Sequence, residues 1–191
     1  MRVLLVGEGL HERGGALEAL VKRLGLTAEK FDTDNANRAD LHAHHGKGKG
    51  FFKRAIRWMQ RAQTLGYDVI ILVIDEDGCR ERRKEIAEAQ ENSLFPIRRA
   101  LGTAIRTFDA WMLADEKTLT KVLGGNVSRQ PEPEGIKEPK IVCRKLLDDC
   151  PQTMTPVEMY ARIAGAIDLT ILQERCSKGF APFAQRVQAL C

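Results

Sequence analysis

The sequence predicts an α/β fold: an open parallel sheet flanked by helices, with a C-terminal helical extension. Three observations predict it. Two runs of consecutive aliphatic residues, 3–6 (VLLV) and 69–74 (VIILVI), each stop at a polar, glycine-containing turn, as strands buried on both faces do. Segments of helical periodicity separate the strand candidates, the alternation that produces parallel pairing. The last fifty or so residues are patterned as helices and carry no strand signal.

The elements follow in order. The first strand, 3–6, ends at Gly7-Glu8-Gly9, and Leu17, Leu20, Val21 and Leu24 then set a helix over 12–24 that Gly25 closes. Residues 27–31 give a short second strand, and the polar stretch 32–50 a long loop. A helix over 51–65 carries Phe52, Ile56, Met59 and Gln63 along one side. Gly66 ends it, and 69–74 is the strongest strand in the chain. A charged helix over 80–92 follows, then a weak strand at 103–107 and helices over 109–114 and 117–123. Gly124-Gly125 and the stretch SRQPEPEGIKEP form a linker. Helices over 141–147, Pro156–Ala166, 169–176 and 182–190 complete the chain. The organisation expected is a core over 1–125, with a linker and helical cap over 126–191 packed on it as one globular unit.

Bulk composition narrows the function classes. A length of 191 residues suffices for one well-buried domain and is short for two. Thirty basic against 26 acidic residues leave a net charge of +4, which permits a polyanionic partner without demanding one. Five cysteines (Cys79, Cys143, Cys150, Cys176 and Cys191) without a C-x-x-C argue against a disulfide framework or a structural zinc site, and fit a reducing cytoplasm. No apolar run reaches the length of a membrane span, and the N-terminus lacks the pattern of a signal peptide. A G-x-x-x-x-G-K-[ST] phosphate loop, a G-x-G-x-x-G dinucleotide fingerprint and a G-x-S-x-G elbow are all missing from the sequence.

Chemistry concentrates at two strand ends. Glu8 follows the first strand, and Asp75-Glu76-Asp77 follow the strongest one. In open parallel sheets ligands collect beyond the carboxyl ends of the strands, so neighbouring strands would bring these carboxylates to one crevice. Asp75 and Asp77 lie two apart and share a face of an extended backbone, while Glu76 points away. Carboxylates so close repel one another unless a cation compensates, and hard oxygens with room for water suit Mg²⁺ or Mn²⁺. Glu8 then serves as a ligand or as a general base or acid. The plainer reading stands beside this: an Asp after a strand often only caps the next helix.

The order VGEG (6–9), an amphipathic helix, then VIDEDG (73–78) resembles a Toprim domain, the nucleotidyl-transfer and hydrolysis module of topoisomerases, bacterial primases and nucleases of the overcoming-lysogenization-defect type. GKGK (46–49), FDAWMLAD (108–115), IKEPKIVCRKLL (136–147) and IDLTILQERC (167–176) are similar to the DUF4276 family of stand-alone Toprim-like proteins, so the likeness spans nearly the whole chain. The resemblance implies that Glu8 is the Toprim glutamate and that Asp75 and Asp77 are the metal-binding D-x-D pair. It also implies that Asp109 supplies the acidic residue that the family carries before Ala-Trp. Some relatives carry a further acidic residue where this chain has Thr107, a departure that leaves one metal or two as open alternatives. Asp115 is read as the cap of the helix after it.

Basic residues cluster as well. Lys47 and Lys49 sit in a glycine-rich stretch able to wrap a phosphate, and Lys53, Arg57 and Arg61 recur at four-residue spacing on one helix face. With Arg106 they are the candidate nucleic-acid contacts, against the plain reading of a solvated face. Arg98, Arg99 and Arg106 could meet a scissile phosphate or pair with the carboxylates. His42, His44 and His45 are read as a polar loop, Trp58 and Trp111 as packing residues, and the helix RERRKEIAEAQEN as solvent-facing.

The function expected is a Mg²⁺- or Mn²⁺-dependent nuclease or nucleotidyl-transfer enzyme acting on nucleic acid. The resemblance further implies a role in phage defence beside a partner ATPase of the SMC-like ABC class. Two alternatives stay open: a non-catalytic Toprim-like binding subunit of an ATPase complex, and a small-molecule phosphotransferase, which would need no basic face.

Overall fold

The computed structural model describes residues 1–41 and 49–191. Strands β1 (Arg2–Gly7), β2 (Lys30–Asn35), β3 (Val69–Asp75) and β4 (Arg98–Ala104) form one all-parallel sheet in the order β2-β1-β3-β4. From β1 the chain passes through a π-turn at Glu12–Ala16 into α1 (Leu17–Arg23); α2 (Gly50–Thr64) precedes β3 and α3 (Arg80–Gln90) precedes β4. Then come α4 (Asp109–Met112), α5 (Glu116–Leu123), α6 (Pro139–Asp148), α7 (Pro156–Ala166), α8 (Leu169–Arg175) and α9 (Phe180–Gln188). The predicted α/β architecture, an open parallel sheet with C-terminal helices, is the one observed.

The central strands β1 and β3 are apolar throughout because both of their faces are covered. Val3, Leu5, Val69, Ile71 and Val73 pack under α1 and the C-terminal helices, while Leu4, Val6, Ile70, Leu72 and Ile74 pack under α2 and α3. At about 1.5–3 kcal/mol for each aliphatic side chain removed from water, β3 alone makes a large contribution to the fold. Strand alternation carries the same parity beyond the sheet: Asp75 faces α1 and the C-terminal helices, and Glu76 faces α3. Trp58 and Trp111 are fully buried, as packing residues should be. Trp111 holds the C-terminal helices to the sheet, its ring stacked on Phe183 at 5.5 Å and edge-on to Phe180 at 5.1 Å. Gly102 of β4 admits that packing, since a Cβ there would lie 2.7 Å from the Phe183 ring.

Three elements differ from the sequence expectation. β2 occupies Lys30–Asn35 rather than 27–31, and takes the first residues of the expected loop. It is an edge strand whose Asp32 and Asp34 pair outward with Lys30 and Arg38, so it lacks an apolar signature. β4 occupies Arg98–Ala104 rather than 103–107. Its two arginines look unlike a strand but serve main-chain carbonyls: Arg99 donates to Gln90 O and Phe95 O, and Arg98 to Leu190 O. The helix expected from residue 12 opens instead as the π-turn, because Gly15 adopts φ 115°, and becomes regular only at Leu17.

Candidate functional site

The register of β1 and β3 places Val6 beside Leu72 and so brings Glu8 level with the end of β3. There Glu8 Oε2 accepts the Asp75 N–H at 3.3 Å, while its Oε1 lies 3.6 Å from Arg54 Nη1. Asp75 Oδ1 accepts the Phe108 N–H at 2.8 Å, which ties the tip of β3 to the entry of α4. Glu12, buried at 5% exposure, folds back so that its Oε2 accepts the Gly9 N–H at 3.0 Å. Asp109 opens α4, is buried, and receives a hydrogen bond from the Tyr160 hydroxyl of α7.

Burial and mutual repulsion raise the proton affinity of Asp75, Glu12 and Glu8. Burial, then the charges of Glu12 and Glu8, push Asp75 up to about 9. Burial is also the leading cause for Glu12, pushed up to about 7 with Glu8 and Asp109 opposing its ionisation. Glu8 is raised by burial too, with the Asp75 hydrogen bond and nearby Arg82 and Arg54 working against the rise. Burial keeps the Tyr160 hydroxyl well above its ordinary value, so it remains a donor to Asp109.

The D-x-D pair is not symmetric. The extended backbone assumed for it ends at Asp75: Asp77 lies at φ 48°, half exposed, with Oδ2 2.6 Å from Arg82 Nη1. The same Arg82 nitrogen donates to Asp75 O at 2.9 Å. Asp77 and Arg106 are both left-handed and are braced together, Asp77 N–H to Arg106 O at 2.9 Å. Glu76 lies on the opposite side, as strand alternation requires, with Oε1 3.8 Å from Arg83.

Beyond the strand tips opens a cleft of about 230 Å³ whose lining includes Glu12, Asp75, Asp77, Asp109, Lys140 and Tyr160. His11 closes one wall, its ring 4.5 Å from that of Tyr160, and burial pushes its imidazole below the ordinary value. Among the described residues His11 Nδ1 and Thr107 Oγ1 are buried at this cleft without a hydrogen-bond partner. No protein-family model, curated protein or solved structure matches this chain.

The donor set fits a hard divalent cation in chemistry: crowded carboxylate oxygens of raised proton affinity, beside buried polar atoms with no internal partner. Among the described residues, no three acidic, histidine or cysteine side chains form a ready coordination group. Mg²⁺ does not require one, since it keeps several waters and is commonly held by one or two carboxylates together with substrate phosphates.

Glu8, Asp75, Asp77 and Asp109 are thus brought to one end of the sheet, whereas Lys49, Lys53, Arg57, Arg61 and Arg106 do not line the cleft there. The α2 cation that meets one of these carboxylates is Arg54, buried between Glu8 and the Phe51 ring. Helical rotation turns the predicted row outward, where Arg61 faces Asp34 and Asp40 at 4.0 and 3.8 Å. Lys49 reaches Glu88 of α3 at 2.5 Å. Arg106 lies across the 75–78 loop from the cleft, and Arg98 and Arg99 bind main-chain carbonyls instead of carboxylates. Lys47, with His42, His44 and His45, lies outside the described residues. Asp115 caps α5, accepting from Lys117 N at 3.0 Å and Thr118 N at 3.3 Å.

Sequence reasoning missed Glu12, His11, Tyr160, Lys140, Arg54 and Arg82. For Glu12 a signal existed: it stands four residues after Glu8, just ahead of Gly14-Gly15. Tyr160 and Lys140 arrive from helices distant in the chain and carry no local mark.

Proposed function

We propose that this protein is a Mg²⁺- or Mn²⁺-dependent, Toprim-type phosphodiester-cleaving or nucleotidyl-transfer enzyme acting on nucleic acid. The observation that carries the reading is Asp75, raised to about 9 at the tip of β3 among Glu8, Glu12 and Asp109. Such crowding disfavours ionisation in the free protein and favours a cation. Asp75 and Glu8, supported by Glu12, would hold the metal, which when bound supplies Lewis-acid polarisation of a phosphoryl oxygen and a more acidic water.

The remaining chemistry belongs to the side chains. Glu8, anchored through Oε2 to the Asp75 N–H, keeps Oε1 to hold or release a proton, and burial brings it nearer neutrality. Tyr160 fixes the Asp109 carboxylate, and Lys140 at the rim attracts an approaching phosphate. A partner ATPase of the SMC-like ABC class, and a role in phage defence, remain proposals carried by the family likeness alone.

The second reading, a non-catalytic binding subunit, draws support from the Asp77–Arg82 pair, which satisfies one member of the D-x-D without metal. One assay separates the two. Supercoiled DNA, single-stranded DNA and RNA are incubated with the purified protein and Mg²⁺ or Mn²⁺, with EDTA as control. Cleavage that needs the ion and disappears in Asp75→Ala and in Glu8→Gln, both still folded by melting profile, is the expected result. Cleavage surviving both substitutions would move the chemistry elsewhere, and binding without cleavage would leave the second reading.

A further inference from the structure

Across the 75–78 loop from the acidic cleft, two adjoining cavities of about 480 and 300 Å³ share Arg83 and Lys178 and form one groove along the β4 edge. The α3 wall presents Arg80, Arg83 and Lys84, which the helix repeat sets on one side. Lys178 and Arg186, before and within α9, form the facing wall, and Arg106 stands at the lip beside Gly78. The helix expected to be merely solvent-facing therefore lines a cavity.

Two acids, Glu134 and Glu76, stand among these six cations. Glu134 receives the main-chain N–H groups of Lys178 at 3.0 Å and Gly179 at 2.7 Å, which shapes the wall. Glu76, more than nine-tenths buried, has Arg83 at 3.8 Å, while its Oε1 makes no hydrogen bond among the described residues. The side chains of Arg80, Lys84, Arg106 and Lys178 make no hydrogen bond or ion pair among the described residues. The α2 surface is different: Arg61 there is shared between Asp34 and Asp40.

We infer that this groove is a binding track for the phosphate backbone of nucleic acid. The cations are spread along two walls and a lip rather than converging on one point, which suits a chain of phosphates more than a single anion. Guanidinium groups match phosphate oxygens in bidentate geometry. Six of the eight residues that bound the larger cavity are charged, Gly78 and Ile105 being the exceptions, so that half of the groove lacks the apolar centre that a protein partner would bury. The 75–78 loop is common to both sites: Glu76 and Gly78 bound the groove, and Asp75 and Asp77 line the acidic cleft.

The inference shares its nucleic-acid partner with the proposed function but not its catalysis, so it is tested in EDTA. Fluorescence anisotropy of labelled single-stranded and duplex DNA is followed against KCl concentration for three proteins. These are the wild type, Arg80→Glu/Arg106→Glu/Lys178→Glu, and Lys53→Glu/Arg57→Glu/Arg61→Glu. The groove variant should bind at least about tenfold more weakly at low salt, with a log–log salt slope smaller by about 2–3, while the α2 variant shifts the slope by less than about 1. Arg80→Glu/Lys178→Glu, which alters two exposed side chains only, should show the same direction at smaller size and guards against a folding defect. An unchanged slope in the groove variants, loss confined to the α2 variant, no DNA binding by the wild type, or displacement of DNA by poly-glutamate as effectively as by unlabelled DNA would each overturn the inference. A protein that binds DNA in this way yet never cleaves it would keep the groove and lose only the enzymatic reading.

Discussion

The cleft and the groove are separated by four residues, Asp75 to Gly78, and treat charge in opposite ways. In the cleft, acids of one sign are crowded out of water, and Asp75 and Glu12 gain proton affinity. In the groove, cations of one sign stand apart along two walls, several of them exposed to solvent. Three consecutive carboxylates meet three fates: Asp75 is confined with other acids, Glu76 is buried beside Arg83, and Asp77 is a surface partner of Arg82. Neighbours in sequence are thus assigned by burial and backbone angle, and a motif written as D-x-D conceals the difference.

The largest expected effect tests whether that asymmetry reaches activity. Asp75→Ala should reduce ion-dependent cleavage by at least ~100-fold, and Asp77→Ala by only about tenfold, because Asp77 supports the site from its rim. Equal losses in steady-state rates would mean that the two aspartates act alike despite their surroundings.

A smaller effect concerns stability. The folded-state value of Asp75 is above its unfolded value, so the metal-free protein holds a proton there that the unfolded chain releases, and stability falls as pH rises from about 4 towards about 9. Asp75→Asn keeps an oxygen for the Phe108 N–H and removes the charge. Metal-free, it should melt a few degrees above the wild type at pH 8, at roughly 2–4 °C per kcal/mol for a chain of this size, and the gap should close near pH 4. Mn²⁺ should raise the melting temperature of the wild type and leave that of the variant nearly unmoved. Asp77→Asn should gain nothing at any pH, since a surface ion pair is worth only ~0–1 kcal/mol. A variant gap independent of pH would break the contrast.

The smallest effect lies on the groove side. Glu76→Gln removes a negative charge from among the cations and should tighten DNA binding in EDTA about two- to threefold at low salt, by anisotropy. Weaker binding would show that Glu76 orients Arg83 rather than opposing the phosphates.

The sequence disclosed what was encoded locally and in bulk. β3 was legible because both its faces are dry, and α7 because Thr155 and Glu158 form a capping box around Pro156. Glu8 and Asp75 were legible as acids at strand ends, while the β1–β3 pairing that sets them together came only from the structure. β2 was displaced because an edge strand can be polar, and β4 because its arginines serve carbonyls that no local pattern reveals. The basic row on α2 has a related limit: spacing shows which cations share a face, but not that Asp34 and Asp40 lie opposite Arg61. Tyr160 and Lys140 depend on tertiary packing, which periodicity does not encode.

The hydrogen bond from Tyr160 to Asp109 has a practical corollary for anyone trimming the molecule. Cutting at the Gly124-Gly125 turn would keep all four strands and the D-x-D loop, yet would strip Asp109 of its donor and Trp111 of the Phe180 and Phe183 rings. The shortened piece would keep the acidic residues without the wall that shapes them, so its inactivity would say nothing about the intact protein.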